Sequence, residues 1–437
     1  MMEITPIIIN LMTKNKFNKM FLQNILFIST ILFMSTMGNM WLEQSNIYFF
    51  VFQDKFCLLI ILMTLWINSI IIMNIKNNKT SMLMILMFMI IMTLSSSNIF
   101  TFYIWFEMSL LPLFIIIFWW GKTKERTNAS MYMLMYTIMG SLPLLWSMFF
   151  MMKLNFSLEW DLLINNKVNI NSFIIYWNMT IAFLVKIPLY GFHSWLPKAH
   201  VEAPVYGSMI LASVVLKLGS MGLMRTSLMM MSTLTNKFNS IIIYLSITGI
   251  TFISLMCITL IDLKIIVAYS SVVHMGVATI SLLTLFKWGL SGAMLMFIAH
   301  GLCSSLMFFI VNTIYERTNS RIMMFNKSLI NMEPKLSILW FLACIYNMGA
   351  PISLNFISEL MMTNTIINWL NLSTLMLIMI NIFSSVYSIQ LFLFTSHGSN
   401  FKTFLKPIKM NEFLIIMLHI TPLISMSINS WLWITKF

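Results

Sequence analysis

Six ionisable side chains sit in stretches otherwise made of apolar residues. Glu107 lies in Phe102-Tyr103-Ile104-Trp105-Phe106-Glu107-Met108, Lys186 in Phe183-Leu184-Val185-Lys186-Ile187-Pro188, and Lys217 in Val214-Val215-Leu216-Lys217-Leu218-Gly219. Glu359 is the sole Asp, Glu, Lys or Arg between Leu336 and Phe401, and His274 and His300 sit near the centres of two more apolar runs. These are groups that exchange protons. Burial disfavours the charged form of an amine or a carboxyl, and an opposite charge nearby restores it. A lysine whose carboxylate partner approaches or withdraws therefore takes up and releases a proton. Glu107 with Lys186 is the pair the sequence nominates.

What holds such groups must be a membrane. Of 437 residues, 59% are hydrophobic and 9% charged, too little charge to cover a soluble protein of this size. Apolar runs of roughly 20 residues recur along the chain, enough to cross a hydrocarbon core of about 30 Å as helices. They are too continuous for barrel strands, so the fold class is all-α and polytopic. A charge at mid-bilayer costs roughly 2.5–3.5 kcal/mol on insertion scales. Structural ion pairs are the plain alternative, but hydroxyl or amide groups would join helices at lower cost. Four ionisable groups and two histidines across six helices describe a wet polar axis better.

Fourteen spans are expected, at about 4–13, 20–42, 56–75, 80–95, 99–120, 127–152, 172–191, 203–224, 240–261, 265–285, 289–313, 337–362, 371–394 and 412–434. The longest loops, 153–171 and 314–335, leave no room for a soluble domain. Taken alternately, the loops carry 17 Lys and Arg on one side and 7 on the other, with Arg225 counted in the loop after the eighth span. The positive-inside rule puts both termini opposite the basic loops, which in a mitochondrion face the matrix. The formal charge of +13 is explained by these loops and not by nucleic-acid binding, since no extended basic stripe exists. The 45 methionines, with abundant Ile, Phe, Asn and Lys, fit AT-rich coding of the mitochondrial type. No cleavable signal or Arg-rich presequence is expected. Cys57, Cys257, Cys303 and Cys344 lie inside apolar runs without ligand spacing and are expected to be inert packing residues.

Two helix breaks stand beside ionisable groups. Pro188 follows Lys186 by two residues, and Asn347-Met348-Gly349-Ala350-Pro351 interrupts the twelfth span eight residues before Glu359. Broken helices at membrane depth line polar cavities and often mark inverted repeats. Each break falls in the fourth helix of a five-helix block, and an odd number of helices per block forces the blocks to run in opposite senses. The expected organisation is 1–79 as N-terminal helices, 80–224 and 240–394 as inverted repeats, and 395–437 as a C-terminal helix.

At these positions the chain resembles the antiporter-like subunit family of mitochondrial respiratory complex I, NADH:ubiquinone oxidoreductase. The resemblance rests on Phe102 to Glu107, on the run from Val185 to Pro204 containing Phe192-His193-Ser194-Trp195-Leu196-Pro197, on Ile266 to Met275, and on Ala299-His300-Gly301-Leu302. It spans about residue 50 to the C-terminus. Within the family, Glu in Asn355-Phe356-Ile357-Ser358-Glu359-Leu360 is typical of the chain 4 group, where subunits 2 and 5 usually carry Lys. Leu354-Asn355 and Ser358 depart slightly from the usual pattern. The resemblance implies a fourteen-helix fold and a proton path through Glu107, Lys186, Lys217, His274, His300 and Glu359. It also implies location in the mitochondrial inner membrane among other membrane-arm subunits, including antiporter-like subunits 2 and 5, and membrane lipids.

The sequence offers no Cys set for iron–sulfur clusters, no Gly-x-Gly-x-x-Gly and no P-loop, so no cofactor is expected on this chain. NADH, FMN, iron–sulfur clusters and ubiquinone are expected on other subunits. His193, His200 and Glu202 could make a zinc site, but a role at proton entry or in solvating the loop suits them better. The competing functions are a cation/proton antiporter subunit of the related multisubunit type and a purely structural scaffold.

Overall fold

The computed structural model describes residues 19–40, 55–75, 79–121, 123–155, 157–166, 173–230, 233–399 and 407–429. Among these, the regular structure is helical apart from two isolated bridges, Asn98 with Glu159 and Asp262 with Ile322. The chain divides into two compact units, residues 1–187 with 202–240, and residues 188–201 with 241–437.

The first unit begins with α1 (Lys19–Met40), α2 (Lys55–Asn74) and α3 (Thr80–Leu94). A corner at Ser95–Asn98 leads into α4 (Ile99–Met108) and α5 (Leu110–Trp120), which together form one span. Then come α6 (Arg126–Asn155), the short α7 (Trp160–Asn166) and α8 (Phe173–Lys186). α8 stops at Lys186, as Pro188 requires, since proline offers no N–H and disfavours helical geometry in its predecessor. After a turn through 187–194 come α9 (Trp195–Glu202) and α10 (Val205–Ile210). A π-helical turn, Leu211–Val215, continues without interruption into α11 (Leu216–Met229).

The second unit contains α12 (Thr233–Thr259, whose first residues belong to the first unit), α13 (Leu263–Leu283) and α14 (Lys287–Thr318). It continues with α15 (Leu329–Met332), α16 (Pro334–Met348), α17 (Leu354–Trp369), α18 (Thr374–Ser396) and α19 (Met410–Ile428). The twelfth expected span is broken, with residues 349–353 separating α16 from α17. Gly349 at φ +71° ends α16 in the left-handed conformation that glycine adopts freely. Ile352 repeats that handedness at φ +77°, where a β-branched residue is strained.

Nine helices among the described residues are long and apolar enough to cross a membrane, and ten if the pair bent by 120° at Glu333 is one span. Three shorter apolar helices, Lys19–Met34, Thr80–Leu94 and Phe173–Lys186, accompany them. The expected count of fourteen is not reached among these helices, and the expected span at 4–13 lies outside the described residues. The loops are also shorter than the composition suggests. α6 runs on to Asn155 and α14 to Thr318, and α7 and α15 occupy parts of the two longest connections.

Hydroxyl groups inside these helices satisfy themselves locally. Thr64 donates to Ile61 O at 2.7 Å, Thr93 to Ile90 O at 2.7 Å and Ser271 to Ala268 O at 2.6 Å. Such back-bonding lets a hydroxyl sit in hydrocarbon without a partner helix. Lys186, Arg225 and His274 have no comparable local solution, and they draw neighbouring elements together.

Candidate functional site: two buried proton-exchanging clusters

In the first unit Glu107 projects from α4 one turn beyond Tyr103. It is half-buried, and its Oε1 has no hydrogen-bond partner among the described residues. Its carboxylate interacts with Lys186 and with the Ser141 hydroxyl of α6, and Tyr103 shares both Glu107 and Ser141 as neighbours. Lys186, 1% exposed, ends α8 with its Nζ 3.3 Å from the centroid of the Phe106 ring. That ammonium also donates to Phe106 O at 3.5 Å, a long bond. A cation held by a ring face and a carbonyl stays in place without a permanent ion pair. The expected Glu107–Lys186 juxtaposition is therefore present.

Lys217 is fully buried, and its Nζ donates to Ala212 O at 2.6 Å. Ala212 belongs to the π-helical turn, where the widened backbone offers a carbonyl to a side chain. α11 packs on α8 through glycines. A Cβ on Gly219 would stand 3.0 Å from Ile187 Cγ1 and 3.1 Å from Lys186 Cβ. One on Gly222 would enter the Phe183 ring at 2.2 Å. Only hydrogen at these positions lets the helices bearing the two lysines meet this closely.

Arg225 was expected in a loop but lies in α11, 1% exposed. Its guanidinium donates to Cys57 Sγ at 2.8 Å, to Leu94 O at 3.1 Å and to Ser96 O at 3.4 Å, and stands 5.5 Å from the Trp160 ring. Cys57, a buried free cysteine, accepts this hydrogen bond as well as packing. The same corner is clasped by Ile99 N donating to Leu158 O at 3.0 Å and Trp160 N to Ser97 O at 3.1 Å. Asp161 lies nearby. Burial, with Glu159 alongside, pushes its carboxyl up, and Arg225 pulls it back. Arg225 thus fixes the corner from which α4 carries Glu107. The only sequence signal for it is an arginine one residue past an apolar run, which reads equally well as a loop charge.

In the second unit three helices that pack together, α13, α14 and α17, bring His274, His300 and Glu359 into one cluster. His274 Nδ1 stands 3.5 Å from Glu359 Oε1, and the two imidazole centroids are 5.8 Å apart at 44°. His274 Nε2 is buried without a hydrogen-bond partner among the described residues. Glu359 retains 17% side-chain exposure. A Cβ on Gly349 would lie 2.6 Å from Glu359 Oε2, so the helix break supplies the space that the carboxylate occupies. Tyr387 of α18, 1% exposed and electrostatically coupled to Glu359, keeps a hydroxyl with no hydrogen-bond partner among the described residues. Neither Ser141 nor Tyr387 is singled out by the sequence. No group of three or more His, Cys, Asp or Glu among the described residues could hold a metal ion. His200, considered as a zinc ligand, stacks on Phe308 at 4.7 Å.

The chain is similar to known membrane proteins. Residues 96–388 match the family described as NADH:quinone oxidoreductase/Mrp antiporter, TM. NADH-ubiquinone oxidoreductase chain 4 of Apis mellifera ligustica is 40% identical over 390 residues, 88% of this chain and 86% of that protein. The Aedes aegypti chain 4 is 44% identical over 323 residues, 74% of this chain and 72% of that protein. The fold is similar to a chain of respiratory complex I from Thermus thermophilus with bound NADH, with a TM-score of 0.90 at 17% identity, over 100% of this chain and 96% of that one. It is also similar to a chain of the membrane-bound sulfane sulfur reductase, an archaeal respiratory membrane complex, with a TM-score of 0.86 at 17% identity over 97% and 74%. With a family model covering more than half its length and relatives at 40% identity over most of theirs, the chain belongs to the NADH-ubiquinone oxidoreductase chain 4 family of antiporter-like membrane proteins.

Proposed function

We propose that the chain is a proton-translocating membrane-arm subunit of respiratory complex I, coupling NADH oxidation by ubiquinone to proton transfer along Glu107, Lys186, Lys217, His274, His300 and Glu359. The observation that carries this reading is Lys186, a buried amine held beside Glu107 by a ring face and a single long carbonyl bond. While Glu107 is ionised, its charge stabilises the Lys186 ammonium. When Glu107 takes a proton or turns away, Lys186 loses that stabilisation and releases its own proton. Lys217 accepts it with its Nζ oriented by Ala212 O. His274 and His300 receive protons in the second unit, and His274 Nδ1 passes one to Glu359 Oε1 across 3.5 Å. Residual exposure of Glu359 makes it the release end.

Residues 80–224 and 240–394 are the inverted repeats of this scheme, supported by the two helix breaks that each stand next to an ionisable residue. Redox chemistry belongs to other subunits, which hold NADH, FMN, iron–sulfur clusters and ubiquinone. The neighbours in the membrane arm include antiporter-like subunits 2 and 5. The protein is a multi-pass component of the mitochondrial inner membrane, with basic loops toward the matrix and both termini toward the intermembrane space, a reading supported by a loop bias of 17 to 6 once Arg225 is placed in α11.

The decisive experiment replaces Lys186 by Met in the assembled complex, reconstituted into vesicles, and records NADH oxidation and proton uptake together. Protons moved per NADH should fall. An unchanged ratio with normal assembly refutes the proposal in favour of a structural scaffold.

A further inference from the structure

One face of α18 borders a groove of about 790 Å³ in the second unit. Val386, Ile389, Leu393 and Phe394 line it at helical spacing, and each is 39–47% exposed. One end is different in kind. Lys327, from the connection before α15, and His397, at the end of α18, close the groove with a basic and a titratable side chain. The stem of Lys327 rests over Gly398, where a Cβ would stand 3.2 Å from Lys327 Cδ, and Ser328 N donates to His397 O at 3.4 Å. The polar end is therefore built by two chain segments joined to each other. The hydroxyls of Ser328 and Ser396, next in sequence to Lys327 and His397, are buried without a hydrogen-bond partner among the described residues. Midway along the groove Gln390 donates from Nε2 to Ile258 O at 3.1 Å, one polar side chain among apolar walls.

The dimensions identify the occupant. From Val386 to His397 a helix rises about 16 Å, close to half of a hydrocarbon core of about 30 Å, which is the depth of one leaflet. We propose that this groove is a binding site for one anionic phospholipid of the leaflet on the side of the basic loops. An acyl chain lies along Val386, Ile389, Leu393 and Phe394, and the headgroup phosphate meets the Lys327 ammonium and His397. A zwitterionic lipid would fill the walls equally well but gain less at the basic end. A free phosphate would gain nothing from the walls. The site is independent of the proton path, so its failure leaves the proposed function untouched.

The test uses the intact complex in vesicles of phosphatidylcholine doped with a photoreactive phosphatidylglycerol or, separately, a photoreactive phosphatidylcholine, with crosslinked peptides read by mass spectrometry. Labelling of residues 386–398 should favour the phosphatidylglycerol probe about fivefold, which is the fold-change equivalent of roughly 1 kcal/mol for one basic side chain at an anionic surface. In Lys327→Gln the preference should fall toward one while labelling by the phosphatidylcholine probe is unchanged. Equal labelling of the wild type by both probes would mean ordinary boundary lipid and overturn the proposal. Labelling by both probes confined to other peptides, with none on residues 386–398, would overturn it as well. Leu393→Trp, which fills the groove without touching the charge, should reduce labelling by both probes. Full labelling in that variant places the lipid elsewhere and also overturns it.

Discussion

The two units solve the same electrostatic problem in opposite ways. In the first, the ionisable groups are mainly cations, and neutral dipoles hold them. Lys186 rests on the Phe106 ring, Lys217 on Ala212 O and Arg225 on two carbonyls and a thiol. In the second, a carboxylate is held by an imidazole, and the space for it comes from a broken helix and the bare Cα of Gly349. Dipoles fix the position of an amine, while its counter-ion decides whether the amine keeps its proton. An imidazole–carboxylate pair is an ion pair only while the imidazole carries the extra proton. The first cluster is suited to storing a proton and the second to passing one on.

That contrast can be broken experimentally. Glu107→Gln should reduce proton translocation on the order of 10², since general acid–base groups contribute 10² or more and Lys186 has lost its switch. Glu359→Gln should reduce it about tenfold, or roughly 1.4 kcal/mol, because the site is part-exposed and two histidines remain. Equal losses, measured as protons per NADH in vesicles, would remove the distinction between the units. Gly349→Ala places a methyl at φ +71° and against Glu359, so it should lower thermal stability by roughly 1–2 kcal/mol and mimic part of the Glu359→Gln defect. A stability loss without a pumping defect would show that the break does not position the carboxylate. Arg225→Met strands Leu94 O and Ser96 O and should destabilise the complex by roughly 1–3 kcal/mol in thermal inactivation, with Arg225→Lys intermediate. The smallest effect expected is a gain. Ile352→Gly relieves a left-handed β-branched residue and should stabilise by about 1 kcal/mol.

The charged residues were legible because hydrocarbon makes each of them an exception, and proline and glycine punctuated the breaks at Lys186 and Gly349. Their partners were not. Ser141 and Tyr387 resemble any of the self-satisfied or packing residues around them, and only the approach of α6 to α4 and of α18 to α16 and α13 gives them a role. An arginine at the edge of an apolar run is ordinarily a solvated flank, whereas here α2, α3 and α7 converge to cover Arg225. The Leu-Ala-Ser-Val-Val turn carries no glycine or proline to announce its geometry. The extension of α14 to Thr318 is hidden by polar residues in its last turn, where Arg317 is held by Glu412.

The widened turn at Leu211–Val215 also sets the angular phase of everything after it. It accommodates one residue more than an ordinary helical turn, and returning it to regular geometry would swing one flank against the other by about 100°. Arg225, pinned to three surrounding elements, denies that swing to the downstream flank. Any rewinding would therefore be taken up upstream, and Ala212 would rotate away from the Lys217 ammonium. A single amine would then change its surroundings through a local screw motion, with no displacement of the bundle.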